Sequence, residues 1–274
     1  MSEGLTRAEC TMEPMRALHA YDGYLFDLDG TIYSGNTVLP GALATLNQLR
    51  DRGKAVLFVT NTTVRTKEQV RERLQSLGIA CEDHEVMTAL CVSAQYFQEF
   101  EPSAQVLMIG EEAMRLELER SGVATTADAR SATHVLVGLD RQLTYDKLTL
   151  GMAALRSGAK LIASNPDPFC PLDDGAIPDT WAIVKALETA SLSKTCRVVG
   201  KPSAYYAQKA LNKLKLPPAQ CLMVGDRVET DIRLGLTNGM ATALVLTGAD
   251  TARDAERAGL QPDYVLETLA EIML

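Results

Sequence analysis

Residues 21–36 read YDGYLFDLDGTIYSGN, an apolar run that ends in two carboxylates separated by one leucine. Two carboxylates this close raise each other's proton affinity, and burial raises it further because the charged form loses its hydration. Along an extended chain the side chains of Asp27 and Asp29 also point to the same side. The pair therefore predicts either a compensating positive charge or a chemical use at the end of a buried strand.

Short apolar runs alternate with longer segments of helical periodicity through most of the 274 residues. Strands that are apolar throughout are typical of a parallel sheet covered by helices on both faces. The sequence therefore predicts an α/β fold with a doubly wound parallel sheet. In such folds ligands lie beyond the carboxyl ends of the strands, so the residues that follow each run indicate the site.

Four runs are followed by residues of unusual chemistry. They are YLFDL with Asp27 and Asp29, AVLFVT with Thr60, Asn61 and Thr62, RVVG with Lys201, and CLMVG with Asp226 and, further on, Asp231. If these four strands are neighbours, the side chains meet at one edge of the sheet.

Such a set suits phosphoryl chemistry. Mg²⁺ prefers oxygen ligands, and its charge would offset the repulsion between Asp27 and its neighbours. Hydroxyl, amide and ammonium groups such as those of Thr60, Asn61 and Lys201 bind phosphoryl oxygens. A carboxylate that faces a phosphoryl group can attack it and form an aspartyl-phosphate. Taken singly, each residue also has a simpler interpretation as a turn, a helix cap or a surface group.

Composition excludes several other classes. The net charge of −8, from 27 basic and 35 acidic residues, argues against a broad nucleic-acid-binding surface. No apolar run is long enough to predict a membrane span. Residues 1–20 lack the apolar segment of a signal peptide and are predicted to be an N-terminal extension. Six cysteines without a CxxC pair favour reduced thiols and a cytoplasmic location.

The motifs DLDGTIYSGN, VTNTT, GKPS and GDRVETDI occur in this order and resemble the four motifs of the haloacid dehalogenase superfamily. The likeness is to the p-nitrophenylphosphatase-like and NagD-like branch and extends from about residue 21 to the C-terminus. It implies a Rossmann-like core and a Mg²⁺-dependent phosphomonoester hydrolase. The expected substrates are small phosphorylated metabolites, with sugar phosphates as the expected class, and the expected intermediate is an aspartyl-phosphate.

The resemblance also implies a role for each motif residue. Asp27 would be the nucleophile and a metal ligand. Asp29 would be the general acid/base and would offer its backbone carbonyl to the metal. The remaining implied roles are phosphoryl binding by Thr60, Asn61 and Thr62, charge neutralisation by Lys201, metal binding by Asp226, and support of Lys201 or of a metal-bound water by Asp231.

About 140 residues separate Asn61 from Lys201, far more than one crossover connection needs. The resemblance implies that residues 88–192 form an inserted α/β cap domain, and that residues 21–87 and 193–274 form a discontinuous core domain. It also implies a homodimer that pairs through the caps.

The segment ASNPDPFCPLDDG (163–175) resembles the TNPD segment of the family. Asn165 and Asp167 are candidates for substrate binding or for the junction between cap and core, unless they only shape a turn. The following IPDTWA departs from the family's small residues. Trp181 in this stretch is expected to pack on an amphipathic helix.

The sequence leaves three alternatives open. A phosphomutase or phosphotransferase would use the same nucleophile with a retained acceptor, and a non-catalytic metabolite-binding protein would use the same scaffold. A dinucleotide-binding domain is the general α/β rival, but no GxGxxG motif follows the first strand.

Overall fold

The structure is a computed structural model that describes residues 16–172 and 175–274. The N-terminal extension predicted for residues 1–20 therefore lies mostly outside the described residues, and only a short 3₁₀ turn at Leu18–Ala20 belongs to it. Within the described ranges no helix has both the length and the apolar character that a bilayer crossing requires.

The described residues form fourteen strands and nine α-helices. The strands are β1 (Gly23–Phe26), β2 (Tyr33–Ser34), β3 (Thr37–Val38), β4 (Ala55–Thr60), β5 (Val86–Thr88), β6 (Val106–Ile109), β7 (His134–Val137), β8 (Lys160–Ala163), β9 (Phe169–Leu172), β10 (Gly175–Pro178), β11 (Thr195–Val198), β12 (Cys221–Gly225), β13 (Ala241–Val245) and β14 (Tyr264–Leu266). The helices are α1 (Ala42–Asp51), α2 (Lys67–Ser76), α3 (Ala89–Phe100), α4 (Glu112–Arg120), α5 (Tyr145–Arg156), α6 (Thr180–Ser191), α7 (Ala204–Leu214), α8 (Arg233–Thr237) and α9 (Ala252–Ala258).

The first sheet has six parallel strands in the order β14-β13-β12-β1-β4-β5. Strand β1 lies at its centre, with Phe26 opposite Val224 of β12 on one side and Phe58 of β4 on the other. All four residues of β1 are buried, so both faces of the sheet are covered. This arrangement confirms the predicted α/β fold, and it places the carboxylates that follow β1 between two other strand ends.

The second sheet has four parallel strands in the order β11-β8-β7-β6. Leu136 and Ile162 on one of its faces belong to the same hydrophobic cluster as Leu25 and Met223 of the first sheet, and this cluster also includes buried residues of α3, α4 and α7. Its other face packs against α5 and α6. Two antiparallel hairpins, β2–β3 and β9–β10, complete the strands.

One of the four runs lies outside the first sheet. The sequence analysis left open whether RVVG is a neighbour of the other three runs, and in the structure β11 pairs with β8, with Val198 opposite Ala163. Lys201 therefore enters from the end of the second sheet, and only three of the four runs are neighbours in the first. Apolar character predicts a buried strand but not its partner, because pairing depends on distant segments.

Candidate active site

Asp27 follows the central strand directly. Its backbone N–H donates to Val224 O at 2.9 Å, which extends the pairing between β1 and β12 by one residue. Only 7% of the residue is exposed, and Lys201 Nζ lies 2.5 Å from its Oδ1. The compensating positive charge expected for a buried carboxylate is therefore present.

Lys201 is the most completely bonded group of the site. Its ammonium donates to Asp27 Oδ1 at 2.5 Å, to Asp231 Oδ1 at 2.6 Å and to Val59 O at 3.2 Å, and the residue is 2% exposed. Burial alone would lower the pKa of Lys201, but the two carboxylates outweigh that effect and raise its pKa. The lysine is held as a cation between two acids.

Asp231 lies in the π-helical turn Val228–Ile232 and is fully buried. Its Oδ1 accepts from Lys201, and its Oδ2 accepts from the backbone N–H of Arg227 at 3.1 Å. Burial raises the pKa of Asp231, and the Lys201 ammonium opposes that rise. Both oxygens are thus bonded within the protein, which fits support of Lys201.

Asp226 follows β12 and is enclosed by two glycines. Its Oδ2 accepts from Ala249 N at 2.7 Å, and its Oδ1 lies 3.3 Å from Thr31 Oγ1. A Cβ at Gly248 would lie 2.0 Å from Asp226 Oδ2, and a Cβ at Gly30 would lie 2.4 Å from it. No side chain can occupy these two positions while the carboxylate stays in place. Burial, followed by the charge of Asp27, raises the pKa of Asp226 well above its usual value.

The buried carboxylates fit a hard divalent cation. Oxygens of Asp27, Asp226 and Asp231 all lie within 4.8 Å of one another. Burial and mutual repulsion disfavour their shared negative charge, and oxygen ligands are those that Mg²⁺ prefers. Asp29 is outside this carboxylate cluster, and the contribution expected of it is a backbone carbonyl. Asp231 accepts from the Lys201 ammonium and from a backbone N–H, whereas among the described residues Asp226 accepts only from the neutral donors Ala249 N and Thr31 Oγ1. Asp27 and Asp226 are therefore the better candidates for ligands.

Asp29 differs from the other acids of the site because its side chain is exposed. The pKa of Asp29 is raised, mainly because the surrounding protein reduces its hydration and to a smaller extent because of the negative charge of Asp27. The positive charges of Arg65 and Arg73 oppose this rise. Solvent screens part of these effects at an exposed group. The protonated form of Asp29 is therefore more favourable than that of an ordinary aspartate, and the exposed carboxyl can exchange protons with water.

The loop after β4 joins the two halves of the site. Asn61 Oδ1 accepts from Lys201 N at 2.9 Å, and its Nδ2 donates to Lys201 O at 3.2 Å. Thr60 Oγ1 accepts from Thr62 N at 3.1 Å. Helix α2 is capped by Thr66, through its bond from Gln69 N, so capping does not explain Thr60 and Asn61. The Asn61 amide holds the backbone of Lys201 rather than facing the open cleft.

The segment after β8 reaches the same loop. Asn165 Nδ2 donates to Asn61 O at 2.7 Å, and Asn165 Oδ1 accepts from Asp167 N at 3.0 Å. The second bond is that of an Asx turn, so Asn165 shapes a turn and also contacts the Asn61 loop. Burial raises the pKa of Asp167 to about 6.

Two residues beside the site were not predicted from the sequence. Arg227 Nη2 donates to Phe169 O at 3.2 Å, and its Nη1 lies 3.8 Å from Asp167 Oδ1. Tyr33 OH lies 3.3 Å from Asp29 Oδ2. Both stand inside quoted motifs, next to Asp226 and four residues after Asp29, so proximity in sequence was the available signal.

A cavity of about 670 Å³ opens beside Arg227. Its lining includes Asp167, Phe169 and Trp181 from one side and Ser203 and Asp250 from the other. Its size suits a small metabolite. Trp181 packs against the α5–α6 side of the second sheet, as expected, and it also lines this cavity.

Comparison with known families agrees with this geometry. Residues 24–124 match the model of the haloacid dehalogenase-like hydrolases, and residues 198–272 match a second model, described as HAD-hydrolase-like. Asp27, which follows β1, lies in the first match, and Asp226, which follows β12, lies in the second.

Three relatives cover nearly the whole chain. The sugar-phosphatase AraL of Bacillus subtilis is 33% identical over 264 residues, which are 94% of this chain and 96% of that protein. The acid sugar phosphatase of Staphylococcus aureus is 36% identical over 251 residues, with 92% and 96% covered. The crystal structure of a 4-nitrophenylphosphatase from Thermotoga maritima is 31% identical, with a TM-score of 0.88 and 94% and 98% covered.

Proposed function

The chain belongs to the haloacid dehalogenase-like hydrolases and is a phosphoric monoester hydrolase, and we propose that it is a Mg²⁺-dependent phosphatase of sugar phosphates and similar small metabolites. The observation that carries the proposal is the position of Lys201 Nζ, 2.5 Å from Asp27 Oδ1 and 2.6 Å from Asp231 Oδ1. A buried cation beside a strand-end carboxylate supports a nucleophile that must approach an anionic phosphoryl group.

In the proposed reaction Asp27 attacks phosphorus through a carboxylate oxygen and forms an aspartyl-phosphate. The bond from phosphorus to the leaving oxygen breaks, its electron pair stays on that oxygen, and Asp29 supplies the proton. Asp29 then takes a proton from water, the water oxygen attacks phosphorus, and Asp27 is released with inorganic phosphate. The raised pKa of Asp29 supports its role as the acid in the first step.

Lys201 would neutralise charge on Asp27 and on the phosphoryl oxygens throughout. The Thr60 hydroxyl and the backbone of the loop at Asn61 and Thr62 would bind the phosphoryl oxygens, while the Asn61 amide holds Lys201 in place. Asp231 would fix the lysine from the opposite side. When bound by Asp27 and Asp226, Mg²⁺ would supply positive charge at the phosphoryl oxygens and relieve the repulsion between the acids.

We further propose a cap over a discontinuous core, with one bound changed from the prediction. The sequence predicts a cap of residues 88–192 and a core of residues 21–87 and 193–274. Because β11 pairs with β8 of the second sheet, we propose that the cap extends to residue 198. Contacts of Asn165 with Asn61 and of Arg227 with Phe169 support a junction at the Asn165 segment, with Asn165 and Asp167 near the substrate. A homodimer through the cap stays a prediction, which light scattering of the purified protein would test.

The decisive experiment measures phosphate release from a panel of phosphorylated metabolites with Mg²⁺, for the wild type and for Asp27→Asn. The amide is nearly isosteric with the carboxylate but is a poor nucleophile, so release should fall to background in a folded protein. Release by the wild type concentrated on sugar phosphates would support the substrate class. Turnover by Asp27→Asn at the wild-type rate would refute the nucleophile.

A further inference from the structure

Asp29 is the least restrained acid of the site. Asp27, Asp226 and Asp231 are each buried and held by their bonds to neighbouring groups. On the Asp29 carboxylate the described residues place a single hydrogen-bond donor, the hydroxyl of Tyr33, at 3.3 Å from Oδ2. A general acid must present its proton in one direction, so its orientation has to come from somewhere.

Tyr33 is itself firmly held. It is 2% exposed, and its carbonyl accepts from Gly30 N at 2.8 Å, which closes the turn that begins at Asp29. The backbones of Asp29 and Tyr33 also form an isolated β-bridge. The phenol ring is therefore fixed relative to the backbone that carries the acid.

Arg73 of α2 covers the other side of the ring. Its guanidinium carbon lies 4.7 Å from the ring centroid of Tyr33, a cation–π contact. Its Nη2 also donates to Gly35 O in the turn between β2 and β3. Arg73 thus links helix α2 to the β2–β3 hairpin, and Tyr33 of this hairpin contacts Asp29.

We propose that Tyr33, held in place by Arg73, is a positioning residue that orients the Asp29 carboxyl toward the oxygen of the leaving group. The proposal rests on the proposed function, in which Asp29 protonates that oxygen. At 3.3 Å the bond is long for a hydroxyl donor, so it directs the carboxyl without binding it tightly.

Two substrates with different leaving groups can distinguish a positioning role of Tyr33 from a purely structural one. When the phosphorus–oxygen bond of a sugar phosphate breaks, the electron pair forms an alkoxide, which needs a proton from Asp29 as it departs. The 4-nitrophenolate ion that leaves 4-nitrophenyl phosphate is stable without that proton. A badly oriented Asp29 therefore slows the first step for the sugar phosphate much more than for the aryl phosphate.

The test compares kcat/KM of the wild type and Tyr33→Phe on 4-nitrophenyl phosphate and on the sugar phosphate that the wild type hydrolyses best. This ratio reports steps up to formation of the aspartyl-phosphate and leaves out its hydrolysis, which is common to both substrates. We expect a loss of about tenfold on the sugar phosphate, a fraction of the full effect of general acid catalysis. The loss on the aryl phosphate should be several times smaller.

Tyr24→Phe is the matched control. Tyr24 is a buried tyrosine of β1 whose hydroxyl donates to Leu18 O at 2.8 Å, away from Asp29. Removal of this hydroxyl should leave unchanged the kcat/KM for the sugar phosphate divided by the kcat/KM for 4-nitrophenyl phosphate. Arg73→Gln provides a second variant. It removes the cation–π contact that holds the Tyr33 ring, so kcat/KM should again fall more for the sugar phosphate than for 4-nitrophenyl phosphate.

An Asp29→Asn background completes the design, since Tyr33→Phe should cause no further loss on the sugar phosphate there. Equal losses on both substrates, or a full additional loss in the Asp29→Asn background, would overturn the positioning role while leaving the phosphatase intact. A folded wild type that releases phosphate from neither substrate would overturn the proposed function and this inference with it.

Discussion

Lys201 Nζ lies 2.5 Å from Asp27 Oδ1, although the two residues are 174 positions apart and enter the site from different sheets. Asp27 extends β1 at the centre of the first sheet, whereas Lys201 follows β11 at the edge of the second. The contact therefore couples the packing of the two sheets to the charge balance of the site. Neither carboxylate bonded to Lys201 has another cationic hydrogen-bond partner among the described residues.

Replacing Lys201 by methionine should lower the free energy of unfolding and also abolish phosphate release. The change leaves Asp27 and Asp231 buried without their counter-charge, and breaking a buried pair on one side costs about 3–5 kcal/mol of unfolding free energy. Urea denaturation at neutral pH measures the loss, and phosphate release measures activity.

The matched control for this change is Lys209→Met. Lys209 pairs with Glu99 near the surface, so its loss should cost at most about 1 kcal/mol. An unfolding free energy for Lys201→Met equal to that of the wild type would show that the buried charges are compensated in another way.

Mg²⁺ should stabilise the wild type, and Asp226→Asn should abolish that response. A ligand that binds only the folded state raises the melting temperature as its concentration exceeds the dissociation constant. Chelation should silence phosphate release and added Mg²⁺ should restore it. Thermal unfolding with and without Mg²⁺ gives a readout that does not depend on turnover.

Without metal, Asp226→Asn should melt no lower than the wild type. The raised pKa of Asp226 means that its charged form is disfavoured in the folded state, so a neutral amide removes a cost at pH 7. A rise in melting temperature with Mg²⁺ that is the same in both proteins would exclude Asp226 as a ligand.

Gly248→Ala should impair metal binding by displacing Asp226. The added Cβ would lie 2.0 Å from Asp226 Oδ2, a distance that backbone and carboxylate must relieve by moving apart. We expect at least tenfold more Mg²⁺ for half-maximal activity, the lower end of what changes next to metal ligands cost. Titration of activity with Mg²⁺ measures the shift.

Gly110→Ala is the control for this substitution, because its Cβ would meet the flexible end of Met114 at 2.8 Å. That side chain can move, so the Mg²⁺ requirement should not change. A Gly248→Ala enzyme with the wild-type requirement would mean that the carboxylate need not stay where the structure places it.

Asn165→Ala should loosen the junction at the Asn61 loop. It removes the bond from Asn165 Nδ2 to Asn61 O and the acceptor of Asp167 N, and leaving buried polar groups unpaired costs about 1–3 kcal/mol each. KM for the sugar phosphate should rise more than kcat falls, because the nucleophile and Lys201 stay in place. Steady-state kinetics on purified protein measure both constants.

Asn165→Asp separates shape from hydrogen bonding at this position. In its ionised form the carboxylate still accepts from Asp167 N but repels Asn61 O, to which the amide donates, so at a pH where it is ionised it should retain the turn and lose the contact. Kinetics of Asn165→Asp that match the wild type would show that the residue only shapes the turn.

The alternation of apolar runs and helical segments was sufficient to predict the α/β class, and the residues after β1, β4 and β12 were correctly expected at one edge of one sheet. These predictions succeeded because burial of a strand and the side to which its residues point depend on local sequence. The motif order also indicated the family, which the comparisons show.

The tertiary structure decided which segments meet. It placed β11 in the second sheet, brought Lys201 to Asp27 from there, and put Asp231 on the far side of the lysine. It also placed the guanidinium of Arg73, from α2, over the ring of Tyr33. Such contacts between distant segments depend on how whole helices and sheets pack against one another. The local sequence pattern that specifies a strand does not specify which other strand or side chain it contacts.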